Sequence, residues 1–385
     1  MLLARAAAWR APAIDPAPPP PARGVAVAGE FSRSSGLGEG ARLMLAALGG
    51  PGVPVVPLDI AAMLPGGGAA APFPPLPPGA PLVLHVNAPL LPHVLRGLPA
   101  GAARGRRVIG YWAWELPTVS PEWRFAPRFV HEVWTPSRFS AAALEALAPG
   151  RVRIVPHPLA AAPPAPAALD RAAFCLPPEA VVVLVSFNLA SSFERKNPLG
   201  AIAAFRAAFG DRQDRLLLLK IGHPGHFPVD FARLRAAAAG ARNIRIDTSD
   251  LPQADRHALT RAADIVLSLH RSEGFGLVPA EAMLLGVPVV ATGWSGNMDF
   301  MDAGSAALVG YRLVPARDPR GVFEAPGAEW ADPDIAAAAA ALRRLADDPA
   351  ERAALGARGR AMAEARLGAA PLAAALRCIG MAVPE

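Results

Sequence analysis

Lysine is nearly missing from this chain: Lys196 and Lys220 are the only two among 38 basic residues, and charged residues of both signs make up just 18% of 385. Arginine supplies the remaining cations without forming a basic run interleaved with aromatics. The net charge of +6 therefore does not mark a nucleic-acid surface. It leaves open an anionic substrate or contact with anionic lipid head groups. Cysteine is equally scarce. Cys175 and Cys378 cannot build a disulfide framework, and no CxxC pair points to zinc or redox chemistry, which fits a reducing cytosol. The stretch Ile60 to Leu95 has no Asp, Glu, Lys or Arg, yet Pro65, Pro72, Pro74, Pro75, Pro77, Pro78 and Pro81 exclude a continuous helix there. No transmembrane segment is expected. The start, MLLARAAAWRAPAIDPAPPPPARG, lacks the uninterrupted apolar core of a secretory signal. Phosphate-loop, zinc-protease and serine-elbow patterns (GxxxxGK[ST], HExxH, GxSxG) are absent as well.

What the chain does have is apolar residues, 52% of the total, which excludes disorder of the whole chain. Short apolar runs alternate with amphipathic stretches. GVAVAG (24–29), PVVPL (54–58), PLVLHVN (81–87), RVIGYW (107–112), EVWTP (132–136) and RVRIVPHP (151–158) read as strands of a first half. Gly36 to Leu48 reads as a loop opening into a helix, and Ser137 as the N-cap of another. After the Pro/Ala segment LAAAPPAPAA a second series follows: VVVLVSFN (181–188), RLLLLKIG (215–222), NIRID (243–247), DIVLSLH (264–270) and VPVVATGW (287–294). Near-continuous apolar runs of this kind are those of buried parallel strands. The expectation is an α/β chain of two doubly wound, Rossmann-like domains facing each other across a cleft, with ligands beyond the carboxyl ends of the strands. The boundaries are a Pro/Ala-rich tail at 1–22, a first domain at 23–158, a linker at 159–178, a second domain at 179–366, and a C-terminal helix at 367–385 that packs back on the first domain.

The segment Ser268 to Met283, SLHRSEGFGLVPAEAM, is the most informative. A buried strand ends near His270, and Glu273 follows at its carboxyl end. Gly274 and Gly276 allow a tight turn with close approach of backbone N–H groups to a ligand. Pro279 suits the first turn of the next helix, whose positive end favours an anion such as a diphosphate. Glu281, in the opening turns, is placed to accept hydrogen bonds from vicinal hydroxyls. An ordinary strand–turn–helix with one surface carboxylate is the bland alternative.

Glu273-Gly-Phe-Gly-Leu-Val-Pro-Ala-Glu281 resembles the E-x7-E signature of retaining GT-B glycosyltransferases of family 4, and GVPVVATGWSGN, ending at Asn297, resembles the region that follows it. The resemblance places Glu273 beside the donor sugar and Glu281 on the nucleotide ribose. It gives the Gly274, Phe275, Gly276 and Leu277 backbone to the diphosphate or sugar hydroxyls, and puts Asn297 on the donor side. SFNLASSFERKNP (186–198) is similar to the family's basic diphosphate loop, with Lys196 in the place of its lysine. Ser191 stands where the family often has arginine, so Arg195 is the candidate for the missing charge. Two solvated cations at a helix start are the competing account.

In the first half, GEFSRSSGLGEGARL resembles the family's first loop, and Gly36, Gly38 and Gly40 would approach the donor phosphate or the acceptor; a plain turn is the alternative. GYWAWELP puts Trp112, Trp114 and Glu115 where many relatives carry a His-Thr pair. Aromatic faces beside a carboxylate suit a sugar acceptor, and core packing of both tryptophans is the rival. His85 and Asn87 end a strand at the same level, and both His85 and His270 have an ordinary buried-histidine reading.

The resemblance implies transfer of a sugar from a nucleoside diphosphate donor to an acceptor hydroxyl, in bacterial polysaccharide, lipopolysaccharide or glycolipid synthesis. The implied partners are a nucleotide sugar and a glycan or lipid-linked acceptor, with no nucleic acid, no metal and no cofactor. The expected location is the cytoplasm, with peripheral contact at the inner membrane surface left open. A sugar-nucleotide epimerase, a phosphorylase or a non-catalytic carbohydrate-binding protein on the same fold are the alternatives.

Overall fold

The structure, a computed structural model, describes residues 11–49, 53–67 and 72–383. The first ten residues of the expected tail, residues 68–71 of the proline-rich stretch and the last two of the C-terminal segment lie outside the described residues. The chain divides into two compact units, one made of Met1–Ala162 with Leu367–Glu385 and the other of Pro163–Arg366.

The first unit is built on β1 (Val25–Gly29), β2 (Val55–Asp59), β3 (Leu82–Leu84), β4 (Val108–Tyr111), β5 (Glu132–Thr135) and β6 (Val152–Ile154). They lie in the order β2-β1-β3-β4-β5-β6 with every pairing parallel. β1, β3 and β4 are buried along their whole length, which is why they carry runs of Val, Ala, Leu and Ile rather than an alternating pattern. One face holds Val25, Val27, Met44 and Leu48 with Val83 and Ile109. Leu372, Ala375 and Leu376, from the helix Ala370–Cys378, complete that same core. Ser137 caps the helix Arg138–Glu145, its hydroxyl accepting from the Ser140 N–H.

The second unit repeats the plan with β7 (Val181–Asn188), β8 (Arg215–Gly222), β9 (Ile244–Asp247), β10 (Ile265–Ser268), β11 (Val289–Thr292) and β12 (Ala307–Val309). Their order is β12-β11-β10-β7-β8-β9, again all parallel. Val183, Leu217, Leu267 and Val290 point from this sheet into a core shared with Phe205 of the helix Pro198–Phe209 and Leu342 of the helix Ile335–Asp347. The later part of the expected linker is fastened to this unit: Arg171 pairs with Asp264 at 2.5 Å and donates to the Ala262 carbonyl at 3.1 Å.

One element was not expected from the sequence. After β12 the chain makes an antiparallel hairpin, β13 (Tyr311–Pro315) with β14 (Glu329–Pro333), registered Tyr311 opposite Pro333 through Pro315 opposite Glu329. Among the described residues no helix is long and apolar enough to cross a membrane.

Candidate functional site

The strand order of the second unit fixes where a ligand site belongs. The chain runs outward from β7 through β8 to β9, then returns to the other side of β7 to lay down β10. At this reversal the segments leaving the carboxyl ends of β7 and β10 lie side by side, the usual ligand position in such sheets. The segment after β7 carries Arg195 and Lys196, and the one after β10 carries Glu273. Topology thus brings together residues 77 apart in sequence.

There the Lys196 Nζ lies 2.5 Å from Glu273 Oε1, and the Arg195 Nη1 lies 3.1 Å from Glu273 Oε2. Arg195 also donates to the Ser272 carbonyl at 2.9 Å and to the Ser191 hydroxyl at 2.6 Å. The serine that stands where arginine was expected is thus itself bound by Arg195. Burial works against ionisation of Glu273, but the two cations outweigh it and hold the carboxyl down at about 2. Glu273 is an anion at any physiological pH and has no proton to give.

The backbone around Glu273 is fixed from a third segment. Its N–H donates to the Ser295 hydroxyl at 2.9 Å, and its carbonyl accepts from the Gly296 N–H at 2.9 Å. Gly296 packs so closely on Gly274 that a Cβ there would collide with the Gly274 carbonyl. Gly276, at φ +101°, turns the chain into the helix Leu277–Leu284, and no side chain caps that end. Phe275 is buried against Phe300, ring centroids 4.9 Å apart. Glu281 lies half-buried in the second turn, 4.0 Å from the His257 Nε2.

Two polar residues of this region are committed internally. Asn297, fully buried, donates to the Thr292 carbonyl at 3.0 Å, and its Oδ1 lies 3.0 Å from the His270 Nε2. His270 also meets the Ser268 hydroxyl at 3.0 Å. Burial lowers its pKa, partly offset by the Glu273 charge, so the ring is neutral and acts as a strut between β10 and the 294–297 turn. Asn297, expected on the donor side, sits in this strut with both polar atoms used.

In the first unit the expected residues separate. Gly36 is exposed at the start of the helix Gly36–Gly49, whereas Gly38 is buried. A Cβ at Gly38 would stand 2.5 Å from the Glu30 carbonyl and 3.0 Å from the Ser35 hydroxyl, so this glycine permits the loop to close on its helix. Arg42, which the sequence reading missed, holds the same loop by donating to the Phe31 carbonyl at 3.0 Å and the Arg33 carbonyl at 3.2 Å. Trp112 is fully buried and meets Trp123 edge-on at 5.9 Å, and Trp114 packs on the same ring at 4.8 Å. Both tryptophans are core residues here, because Trp123 from the 3-10 helix Pro121–Phe129 fills the space beside them. Their faces are not open to a sugar. Glu115 remains half-buried. His85 is fully buried, stacked on Tyr111 at 4.2 Å, and kept neutral by burial.

A sequence profile of family 4 glycosyltransferases in conflict systems matches residues 143–375, more than half of the chain. The D-inositol 3-phosphate glycosyltransferase of Acidothermus cellulolyticus is 31% identical over 220 residues, 56% of this chain and 46% of that protein. The enzyme of the same name from Nocardioides is 30% identical over 216 residues, 53% of this chain and 43% of that protein. The matched region thus spans about half the length of these curated relatives. Among solved structures, the sucrose-phosphate synthase of Thermosynechococcus elongatus superimposes with a TM-score of 0.63 at 17% identity, covering 93% of this chain and 98% of that one. WaaG, a glycosyltransferase involved in lipopolysaccharide biosynthesis, gives 0.58 at 17%, covering 93% and 100%. Anabaena HepE, solved with UDP and glucose, gives 0.59 at 14%, covering 92% and 98%. Two all-parallel Rossmann-like sheets with these neighbours make the fold GT-B. With the profile covering all of the second unit and flanking parts of the first, the chain belongs to the family 4 glycosyltransferases of the conflict-system type.

Proposed function

We propose that the chain transfers a sugar, with retention, from a nucleoside diphosphate sugar to an acceptor hydroxyl, and that Lys196, Arg195, Glu273 and Glu281 form its donor site. The observation that carries this reading is the ionised Glu273 carboxylate held between Lys196 and Arg195 at the reversal of the second sheet. Charge accumulates on the departing diphosphate as the glycosidic bond breaks, and two fixed cations stabilise it more in the transition state than in the bound donor. In this reading Lys196 and Arg195 fill that role without a metal. Glu273, ionised between its two cations, accepts hydrogen bonds from donor-sugar hydroxyls and stabilises positive charge developing on the ring. It does not donate a proton. Glu281, one turn into the helix, takes the ribose hydroxyls.

That Anabaena HepE is solved with UDP and glucose supports a nucleoside diphosphate sugar as donor. The role of WaaG in lipopolysaccharide biosynthesis supports a glycan or lipid-linked acceptor, and the inositol 3-phosphate in the name of the curated relatives supports an acceptor hydroxyl on a phosphorylated polyol. The net charge of +6 supports work at the anionic inner surface of the cytoplasmic membrane.

The test is a panel of UDP-, GDP- and ADP-sugars screened by thermal shift, followed by proton NMR of the product made with the stabilising donor. The anomeric proton of the product should keep the donor's configuration. An inverted product contradicts retention, and epimerised donor without transfer favours an epimerase.

A further inference from the structure

Arg195 is held by more than its oxygen partners. Its guanidinium lies over the ring of Phe323, 5.1 Å from the centroid, and Phe323 is only 4% exposed. Phe323 belongs to the segment joining β13 to β14, which is tied down from within. Asp318, 1% exposed, accepts from the backbone N–H groups of Val322 and Phe323 at 3.1 Å each and of Arg320 at 3.3 Å. Arg320 then reaches outward, donating to the Leu189 carbonyl at 2.8 Å, pairing with Asp230 at 2.6 Å and lying over Phe227 at 3.5 Å. Leu189 opens the turn that leads from β7 to Ser191 and Arg195.

The other leg of the hairpin grips the same segment through Arg271. The Ala331 N–H of β14 donates to the Arg271 carbonyl at 2.9 Å, and the Arg271 N–H donates to the Arg195 carbonyl at 2.7 Å. The Arg271 side chain pairs with Glu194 at 3.3 Å and with Asp332 at 3.7 Å. The hairpin therefore meets residues 189–195 directly at two places, the Leu189 carbonyl and the Arg195 guanidinium, and reaches the Arg195 backbone through Arg271.

We propose that the β13–β14 hairpin is a brace for the diphosphate cations, and that Phe323 is the positioning residue through which it sets the plane of the Arg195 guanidinium. The proposal rests on the reading of Arg195 as a diphosphate ligand. Arg195 makes directed contacts to Ser191, Ser272 and Glu273, and a planar fork satisfies these together only at one orientation of its plane. A flat ring under its face restricts rotation out of that plane, and the contact gains from desolvation at a buried site. The brace acts on the orientation of a charge already present. It should therefore govern how tightly a diphosphate is held and how fast it is released from sugar, rather than whether the chain folds.

The experiment is calorimetric titration of the full chain with UDP, GDP and ADP, using the tightest binder for all variants. Phe323→Leu keeps apolar volume and removes the ring face. Phe323→Trp keeps a face. Asp318→Asn loosens the segment without touching the ring, and covers the case in which Phe323→Leu does not fold. Phe323→Leu or Asp318→Asn should weaken nucleotide binding about threefold to thirtyfold, while Phe323→Trp stays near wild type. Combining either loss with Arg195→Ala should add nothing to the effect of Arg195→Ala alone. A lowered melting temperature with unchanged nucleotide affinity, or losses that multiply in the double variants, would show that Phe323 is a packing residue only. If Arg195→Ala itself leaves nucleotide affinity unchanged, the diphosphate reading of Arg195 fails, and the brace fails with it.

Discussion

Lys196 and Glu273 meet at 2.5 Å although they leave different strands, and Arg195 takes the other carboxylate oxygen at 3.1 Å. Each cation thus already has an anionic partner, and on the proposed reading a diphosphate must share or displace it. Glu273→Gln should therefore bind the nucleoside diphosphate no more weakly than wild type, since the competitor is gone, while turnover falls steeply because the charge facing the sugar is lost. Calorimetry beside steady-state kinetics separates the two effects. Loss of affinity in proportion to turnover would mean that Glu273 holds the donor rather than acting on its transition state.

The same contact sets a dependence on acidity. Glu273 is held near 2 in the folded chain, below its ordinary value of 4.5, as Lys196 and Arg195 overcome the opposing effect of burial. Its contribution to stability is complete above about 4.5 and disappears as pH falls towards 2, because the unfolded chain takes up the proton first. The stability difference between wild type and Glu273→Gln, followed by denaturant melts, should be flat above pH 5 and shrink below pH 4.5. A difference that grows on acidification would contradict the ion-paired carboxylate.

The two lysines should part company on substitution. Lys220 is buried beside Asp247, 3.6 Å away, and bonds the Ser249 carbonyl, so it ties β8 to the end of β9. Lys220→Ala should lower the melting temperature and spare turnover of the folded fraction. Lys196→Ala should cost turnover at least tenfold, well beyond the stability it loses by leaving the buried Glu273 carboxylate with Arg195 alone. Matching thermal and kinetic losses in the two variants would remove the diphosphate role of Lys196.

Gly38 and Gly36 offer a similar contrast. A methyl at Gly38 meets the Glu30 carbonyl at 2.5 Å, so Gly38→Ala should destabilise the first unit by about 1–3 kcal/mol through overpacking. Gly36, exposed at the helix start, should accept alanine with a change within about 0.5 kcal/mol. Thermal melts of the two variants check this directly, and equal stability would deny the close approach.

Much of this was legible in the sequence where one physical cause dominates. β7 and β8 occupy the expected runs VVVLVSFN and RLLLLKIG to the residue, since strands buried on both faces are apolar nearly throughout and the charged Arg215 and Lys220 of β8 are ion-paired. Glu273, Gly276 and Lys196 could be singled out because strand ends, glycine turns and a rare lysine are local signals. Direction was not legible. A tryptophan after a strand reads the same whether it faces a sugar or Trp123, and only the fold buried Trp112. The β13–β14 hairpin escaped because YRLVP and EWADP mix charged, apolar and proline residues, and Tyr311 and Leu313 stay exposed. The partners of Arg195 escaped for a related reason: Ser272 and Phe323 reach it across the fold, and no spacing in the sequence announces that.

Glu281→Gln tests the proposed ribose contact. Losing a charged hydrogen bond to ribose should cost roughly 1.5–3 kcal/mol of donor affinity, with little change in turnover at saturating donor, because the ribose is remote from the breaking bond. Unchanged affinity would take Glu281 out of the site.

The central claim, that Lys196 and Arg195 beside Glu273 receive the diphosphate of the donor, is tested most directly by titrating wild type, Lys196→Ala and the Arg195→Ala/Lys196→Ala double variant with UDP, GDP and ADP in EDTA. One nucleotide should bind wild type with the chelator present, more weakly by at least tenfold in Lys196→Ala, and without measurable heat in the double variant. Equal binding by all three proteins, or binding that requires Mg²⁺, would contradict it.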